Sequence, residues 1–152
     1  MKIQILAVGS VKSGEIRSLI FEYLKRLKPY QDVQITELKE GIPRKGSSAK
    51  KEDEEKILSH LKGRPALIAL SEEGKAVGSL DLALLIKRHS EAGTDICFII
   101  GGTEGLSDTI KKSALFCLSL SDLTFTREMA RLILVEQLYR AVKINRGEPY
   151  HR

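Results

Sequence analysis

Residues 97–105, Cys97-Phe98-Ile99-Ile100-Gly101-Gly102-Thr103-Glu104-Gly105, carry an apolar run that stops at a glycine-rich turn. Glycines let main chain come close to a bound molecule, so Gly101, Gly102, Glu104 and Gly105 are candidate ligand contacts. The chemistry such a turn offers is recognition of a planar heteroaromatic ring by backbone donors and acceptors. It is neither a GxGxxG dinucleotide fingerprint nor a P-loop, because no Gly-Lys-Ser/Thr follows. Arg131 is a second candidate group. On a helix its charge falls inside an apolar arc, between Leu138 and Val142, so its guanidinium either snorkels to solvent or is aimed at the site. His60, His89 and His151 stand far apart without metal-ligand spacing, and Cys97 and Cys117 sit in apolar segments without a CxxC pair. No metal site is expected, and the cysteines read as small buried hydrophobes.

The elements that must position these groups follow from hydrophobic periodicity. Residues 96–100 have no interposed polar side chain, as in a parallel strand covered on both faces. Segments 2–8, 65–70 and 116–121 read as further apolar strands, the first of them central. Segment 33–38 alternates strictly and belongs near a half-exposed edge. Helices are expected over 15–28, ended by Pro29, and over 51–61. The second is capped by Ser47 or Ser48, with Glu52 to Glu55 near the positive end of its dipole. Three more are expected over 79–89, 108–115 and 126–144. Strand and helix alternate, giving an α/β fold: a mostly parallel sheet with helices on both faces, in one domain spanning 1–152. The strand ends at Leu70, Ile100 and Leu120-Ser121 would then lie side by side, with 71–75 as a turn after the first of them. In the last helix, Ala130, Leu132, Leu134, Val135, Leu138, Tyr139, Ala141 and Val142 cover an arc of about 200°. Such an arc is wide for one small sheet, and a second subunit packed on Leu134 and Leu138 is expected.

The chain of 152 residues has 42% apolar and 30% charged residues and a net charge of +5. That composition excludes disorder, and the short apolar runs and the N-terminal layout exclude a membrane helix and a signal peptide, so a cytoplasmic protein is expected. With no Trp and four each of Tyr and Phe, a base-stacking platform is disfavoured. Basic residues outnumber acidic ones in 39–64 and again in 127–152. Paired basic segments suit a phosphate-bearing partner such as nucleic acid. Within the first of them, 41–51 reads as a mobile basic loop.

Several stretches together resemble the ribosomal RNA large subunit methyltransferase H family, the minimal SPOUT-class methyltransferases. They are Gly9 after the first strand, Ile100-Gly101-Gly102-x-Glu104-Gly105-Leu106, Ser119-Leu120-Ser121-x-Leu123-Thr124, Leu134-Val135-Glu136-Gln137-Leu138-Tyr139-Arg140-Ala141 and Pro149-Tyr150-His151-Arg152. The resemblance spans the whole chain. It implies a SPOUT-type C-terminal trefoil knot, a homodimer and S-adenosylmethionine as methyl donor. The implied reaction is methylation at N3 of a pseudouridine in 23S rRNA, in the large subunit or assembled ribosome. The implied donor site is Leu70, Gly102 and the stretch Ser121, Asp122, Leu123, Thr124, Phe125 and Thr126, at the strand ends already singled out. One departure is Thr126-Arg127, where the family commonly has Pro then His.

The implied chemistry asks mainly that a ring nitrogen be placed in line with an activated methyl group and lose its proton. His151, beside a matched motif and with an ordinary pKa of about 6.5, is the candidate base. Arg131 or Arg152 could stabilise charge on the ring, and Tyr150 belongs to the same tail. The tail after Gly147-Glu148-Pro149 is expected to complete the site without holding the fold. Rival readings are a non-enzymatic ribosome-associated RNA-binding protein and a nucleotide-binding enzyme of ordinary doubly wound fold. Saturable S-adenosylmethionine binding separates the first reading from both.

Overall fold

The computed structural model describes residues 1–43, 45 and 47–151; Arg44 of the basic loop and the candidate Arg152 lie outside the described residues. Five strands, β1 (Lys2–Val8), β2 (Asp32–Leu38), β3 (Ala66–Ala76), β4 (Ile96–Ile100) and β5 (Phe116–Ser119), alternate with five helices. The helices are α1 (Gly14–Leu27), α2 (Ala49–His60), α3 (Ser79–Glu91), α4 (Asp108–Ser113) and α5 (Arg127–Asn145). The strands form one sheet in the order β2-β1-β4-β3-β5, and every pairing is parallel. β1 is an interior strand and β2 an edge, as the apolar run and the alternation predict.

Alternate side chains of β4 feed two cores. Ile96, Phe98 and Ile100 join residues of α1, α3 and α5 on one face, while Cys97 and Ile99 join α2 and α4 on the other. Connections that step one way across the sheet, β1 to β2 and β3 to β4, use α1 and α3 on the first face. Those that step the other way, β2 to β3 and β4 to β5, use α2 and α4 on the second. All four crossovers therefore share one hand, as parallel crossovers do. Four helices start on a hydroxyl cap: the Ser13, Ser48, Ser107 and Thr126 side chains accept from Ile16, Lys51, Ile110 and Met129 N–H groups. Of the two serines considered for α2, Ser48 is the cap.

Two expectations are corrected. Residues 71–75 do not end β3. The strand continues to Ala76 after a register shift against β5, where Leu70 and Lys75 both lie opposite Leu118. A bulge of this kind keeps the ladder and pushes Ser71 to Glu73 outward, while Gly74 packs against the main chain of Cys117. The wide apolar arc of α5 is covered within the chain: α5 lies against the sheet with α1 and α3 packed beside it, and Leu134 and Leu138 are both 0% exposed. Those two leucines cannot form a subunit interface. Three neighbouring elements, rather than one sheet, absorb the arc. No described helix is long and apolar enough to cross a membrane.

Because Leu134 sits at the centre of this packing, Leu134→Ala should lower the unfolding free energy by about 2–5 kcal/mol. Urea denaturation measures this, and a loss under about 1 kcal/mol would contradict the placement of α5 as the third element of the core.

Candidate active site

At the carboxyl edge of β3, β4 and β5 lies a cavity of about 610 Å³, within the range of roughly 300–1,000 Å³ usual for small-molecule sites. Leu70 before the β3 bulge, Ile100 at the end of β4 and Leu118 near the end of β5 floor it, and the glycine turn from Gly101 to Leu106 forms one wall. Ser119 to Ser121, Leu123 and Phe125, with the first turn of α5 at Thr126, Arg127 and Ala130, form the other. The β3 bulge adds Ser71, Glu72 and Glu73, and Lys111 of α4 stands beside Glu73 at 3.1 Å. Of the predicted contacts, Leu70, Gly101, Gly102, Glu104, Gly105, Ser121, Leu123, Phe125 and Thr126 line the cavity. Asp122 and Thr124, both exposed, are outside the lining. The bulge residues and Arg127 were missed by sequence reasoning; the two carboxylates following an apolar strand were the available signal.

The glycines of the turn answer different constraints. A Cβ on Gly101 would meet Gly105 C at 2.7 Å and Leu106 N at 2.9 Å, so main chain packs on main chain there. Gly105 has φ of +73°, the left-handed region that favours glycine, and its N–H donates to Gly102 O at 3.0 Å. Gly102 contributes main chain to the cavity, while a Cβ would point behind the turn and strike Asp53 Oδ2 at 2.8 Å, Glu40 Oε1 at 2.9 Å and Val8 Cγ1 at 3.1 Å. A side chain at Gly102 would therefore strain the fold before it blocked a ligand.

Behind the turn stand two carboxylates with opposite electrostatics. Glu40 accepts from Thr103 N–H at 2.5 Å and pairs with Arg127 at 3.0 Å. The hydrogen bonds from Thr103, then Arg127, hold its carboxyl below the usual range against the effect of burial. Asp53, 3% exposed, accepts from Gly41 N–H at 2.6 Å. Burial first, and the nearby Glu40 charge, push its carboxyl above the usual range despite that hydrogen bond.

The predicted catalytic groups do not gather in this cavity. Arg131 is 2% exposed, and it neither snorkels nor faces the cavity. Its Nη1 donates to Glu37 at 2.5 Å and its Nη2 to Gly9 O at 3.0 Å, tying α5 to the ends of β1 and β2. Tyr150 docks on the far half of α5: its hydroxyl donates to Glu136 at 2.9 Å, and its ring meets Tyr139 edge-on at 4.9 Å beneath Arg140. Burial raises the Tyr150 hydroxyl pKa, with help from Tyr23 and Glu136, so it remains a neutral donor. The tail therefore does hold part of the fold, against expectation. His151 beside it is exposed. Nine helical steps take α5 from Ala130 at the cavity to Tyr139, about 14 Å along its axis. Cys97 is buried, and burial pushes its thiol up to about 12, so it is inert. Among the described residues no group of His, Cys, Asp and Glu could hold a metal ion.

Asp53 supplies a test of this electrostatic layout. With its folded pKa raised, the protonated form is favoured in the fold; its cost to stability is absent below the unfolded value near 3.8 and grows as pH rises through the folded value. Asp53→Asn keeps an oxygen for Gly41 N–H and removes that cost. Its melting temperature should therefore gain on the natural protein between pH 3 and pH 7. A gap that narrows over that range would contradict the assignment.

Comparison with known proteins sets this geometry in a family. Residues 1–151 match the family model described as "Predicted SPOUT methyltransferase". Proteins named ribosomal RNA large subunit methyltransferase H align over the full length of both chains. The one from Halothermothrix orenii is 44% identical over 159 residues, and that from Anaeromyxobacter sp. is 40% identical over 153 residues. The solved tRNA (m1G37) methyltransferase of Aquifex aeolicus shares the fold, with a TM-score of 0.57 at 17% identity over 100% of this chain and 77% of that one. A glycine-walled cavity at three adjacent strand ends, in a chain that matches these relatives from end to end, belongs to the SPOUT methyltransferase family and, within it, to the ribosomal RNA large subunit methyltransferases H.

Proposed function

We propose that the protein transfers the methyl group of S-adenosylmethionine to N3 of a pseudouridine in 23S rRNA, in the large subunit or assembled ribosome. It would act as a cytoplasmic homodimer of a single SPOUT domain over 1–152, with a trefoil knot where residues 119–126 pass into α5. The cavity at the ends of β3, β4 and β5 carries the reading. Its main-chain walls suit a purine ring beside the apolar Leu123 and Phe125, and Glu72, beside the Lys111-paired Glu73, suits a cationic ligand. The names of the full-length relatives supply rRNA as the substrate. A non-enzymatic binding role leaves this cavity without a purpose.

Bound S-adenosylmethionine supplies an already activated methyl group. The chain's residues have the simpler task of placement: the glycine turn and the Ser121 to Thr126 segment grip the donor and exclude water, leaving one face open for the acceptor ring. His151 takes the proton from N3, and Tyr150 holds the tail in place through Glu136 and Tyr139. Arg152 stabilises charge on the ring. Arg131 serves by anchoring the α5 rim through Glu37 and Gly9.

A tail docked on Glu136 and Tyr139, about 9–14 Å along α5 from Ala130, would serve the donor site of the other subunit across a dimer. With Leu134 and Leu138 buried, the subunit contact falls on the apolar side chains left exposed beside α5: Leu80 and Leu84 of α3, Leu123 and Met129.

Calorimetry should show saturable S-adenosylmethionine binding to the purified protein; a flat titration would remove the donor reading. His151→Ala should leave donor affinity unchanged and lower the single-turnover rate on ribosomes by about 10²–10⁴-fold. A loss under threefold would assign the proton to another group. Sedimentation should give a dimer at micromolar concentration, and a monomer there would sink the shared site.

A further inference from the structure

We propose that Glu40 is a positioning residue of the donor site, a latch that holds the glycine turn through the Thr103 amide and the α5 rim through Arg127. The glycine turn needs such a device. Gly101, Gly102 and Gly105 have no side chains to anchor the turn; Gly105 N–H donates to Gly102 O within it, and Glu104 accepts from Lys50 N–H at its outer end. Glu40 restrains it from behind: Oε1 accepts from Thr103 N–H at 2.5 Å, in the slot left open by the missing Gly102 side chain. The other oxygen, Oε2, lies 3.0 Å from Arg127 Nη1, and that same nitrogen is 3.5 Å from Val8 O at the end of β1. Arg127 lines the cavity wall opposite the turn. One carboxylate thus spans both walls and fixes the width of the cavity.

The latch also accounts for Thr126-Arg127. A Pro-His pair would stiffen the rim through the proline ring. Here Thr126 caps α5 by accepting from Met129 N–H at 3.3 Å, and Arg127 ties the first turn to Glu40. A cap and an ion pair take the place of the proline ring. Holding both walls before the ligand arrives lowers the ordering cost of binding, so the effect appears in donor affinity rather than in the methyl-transfer step.

The consequence for affinity rests on the donor reading above, but the latch itself is visible without donor. In ligand-free protein, Glu40→Ala should raise amide hydrogen exchange at Thr103 at least tenfold relative to amides of β4. Glu40→Gln keeps an acceptor for Thr103 and should leave that exchange within about threefold while losing the pair with Arg127. By calorimetry, Glu40→Ala should weaken S-adenosylmethionine binding by about 10–100-fold, the range expected of a lost charge-assisted bond. Glu40→Gln and Arg127→Gln should each weaken it by a smaller and similar factor, and the double variant should be no worse than either single one. At saturating donor, single-turnover rates should return to within threefold of the natural protein, a split that general destabilisation would not produce. Unchanged Thr103 exchange in Glu40→Ala overturns the latch even if the natural protein binds no donor. Raised exchange with unchanged donor affinity overturns the positioning role. If Glu40→Ala does not fold, additive losses in Glu40→Gln and Arg127→Gln overturn the coupling across the cavity.

Discussion

The guanidinium of Arg131, closed off from water between α5 and the ends of β1 and β2, is the constraint on which the site's geometry depends. Desolvation lowers its pKa, and Glu37, followed by Glu128, opposes that shift. A buried cation is tolerated only where its hydrogens find partners, and here the Glu37 carboxylate and the Gly9 carbonyl accept from Nη1 and Nη2. Nε has no partner among the described residues, which makes the burial costly and its placement specific. The same pair of elements is laced again nearby: Glu37 accepts from Val11 N–H, and Glu128 accepts from the N–H groups of Lys12 and Ser13. The loop entering α1 and the first turn of α5 are thereby fixed to each other, so Thr126, Arg127 and Ala130 present a rigid wall to the cavity.

Glu40 and Asp53 extend this order to the opposite wall. Two acids share the space behind Gly102, and their pKa values move apart because the Thr103 hydrogen bonds and Arg127 outweigh burial at Glu40, while burial dominates at Asp53. Thr103 and then Arg127 keep Glu40 charged, while for Asp53 the Gly41 amide and the nearby Lys56 do not offset burial. The glycine turn therefore rests on electrostatic support from Glu40, a lone acid in a β2–α2 connection (39–48) whose other residues are Lys, Arg, Gly, Ser, Ile and Pro.

Much of the fold is legible in the sequence because burial on both faces leaves a direct mark. The run Ile96 to Ile100 has no polar residue since Cys97 and Ile99 enter one core and Ile96, Phe98 and Ile100 the other. Strict alternation in β2 likewise marks an edge strand. What the sequence does not reveal is the neighbourhood of α5. A wide apolar arc says how much surface is covered and nothing about what covers it; α1 and α3, distant in the chain, do so here. Arg131 was misjudged for the same reason, since its partners Glu37 and Gly9 are brought to it only by the strand order β2-β1-β4.

The donor cavity is legible to a different degree because its walls are main chain. Glycine marks where backbone approaches closely, and so Gly101, Gly102 and Gly105 point to the site without any catalytic side chain nearby. Charged side chains that shape such a site leave no comparable signature. Ser71 to Glu73 reach it through a β-bulge, Arg127 through the seating of α5, and Glu40 from sixty-three positions before the amide it holds. A backbone-built site thus divides its information: the contacts are written locally in glycines, and the forces that hold those contacts in place are distributed over the fold.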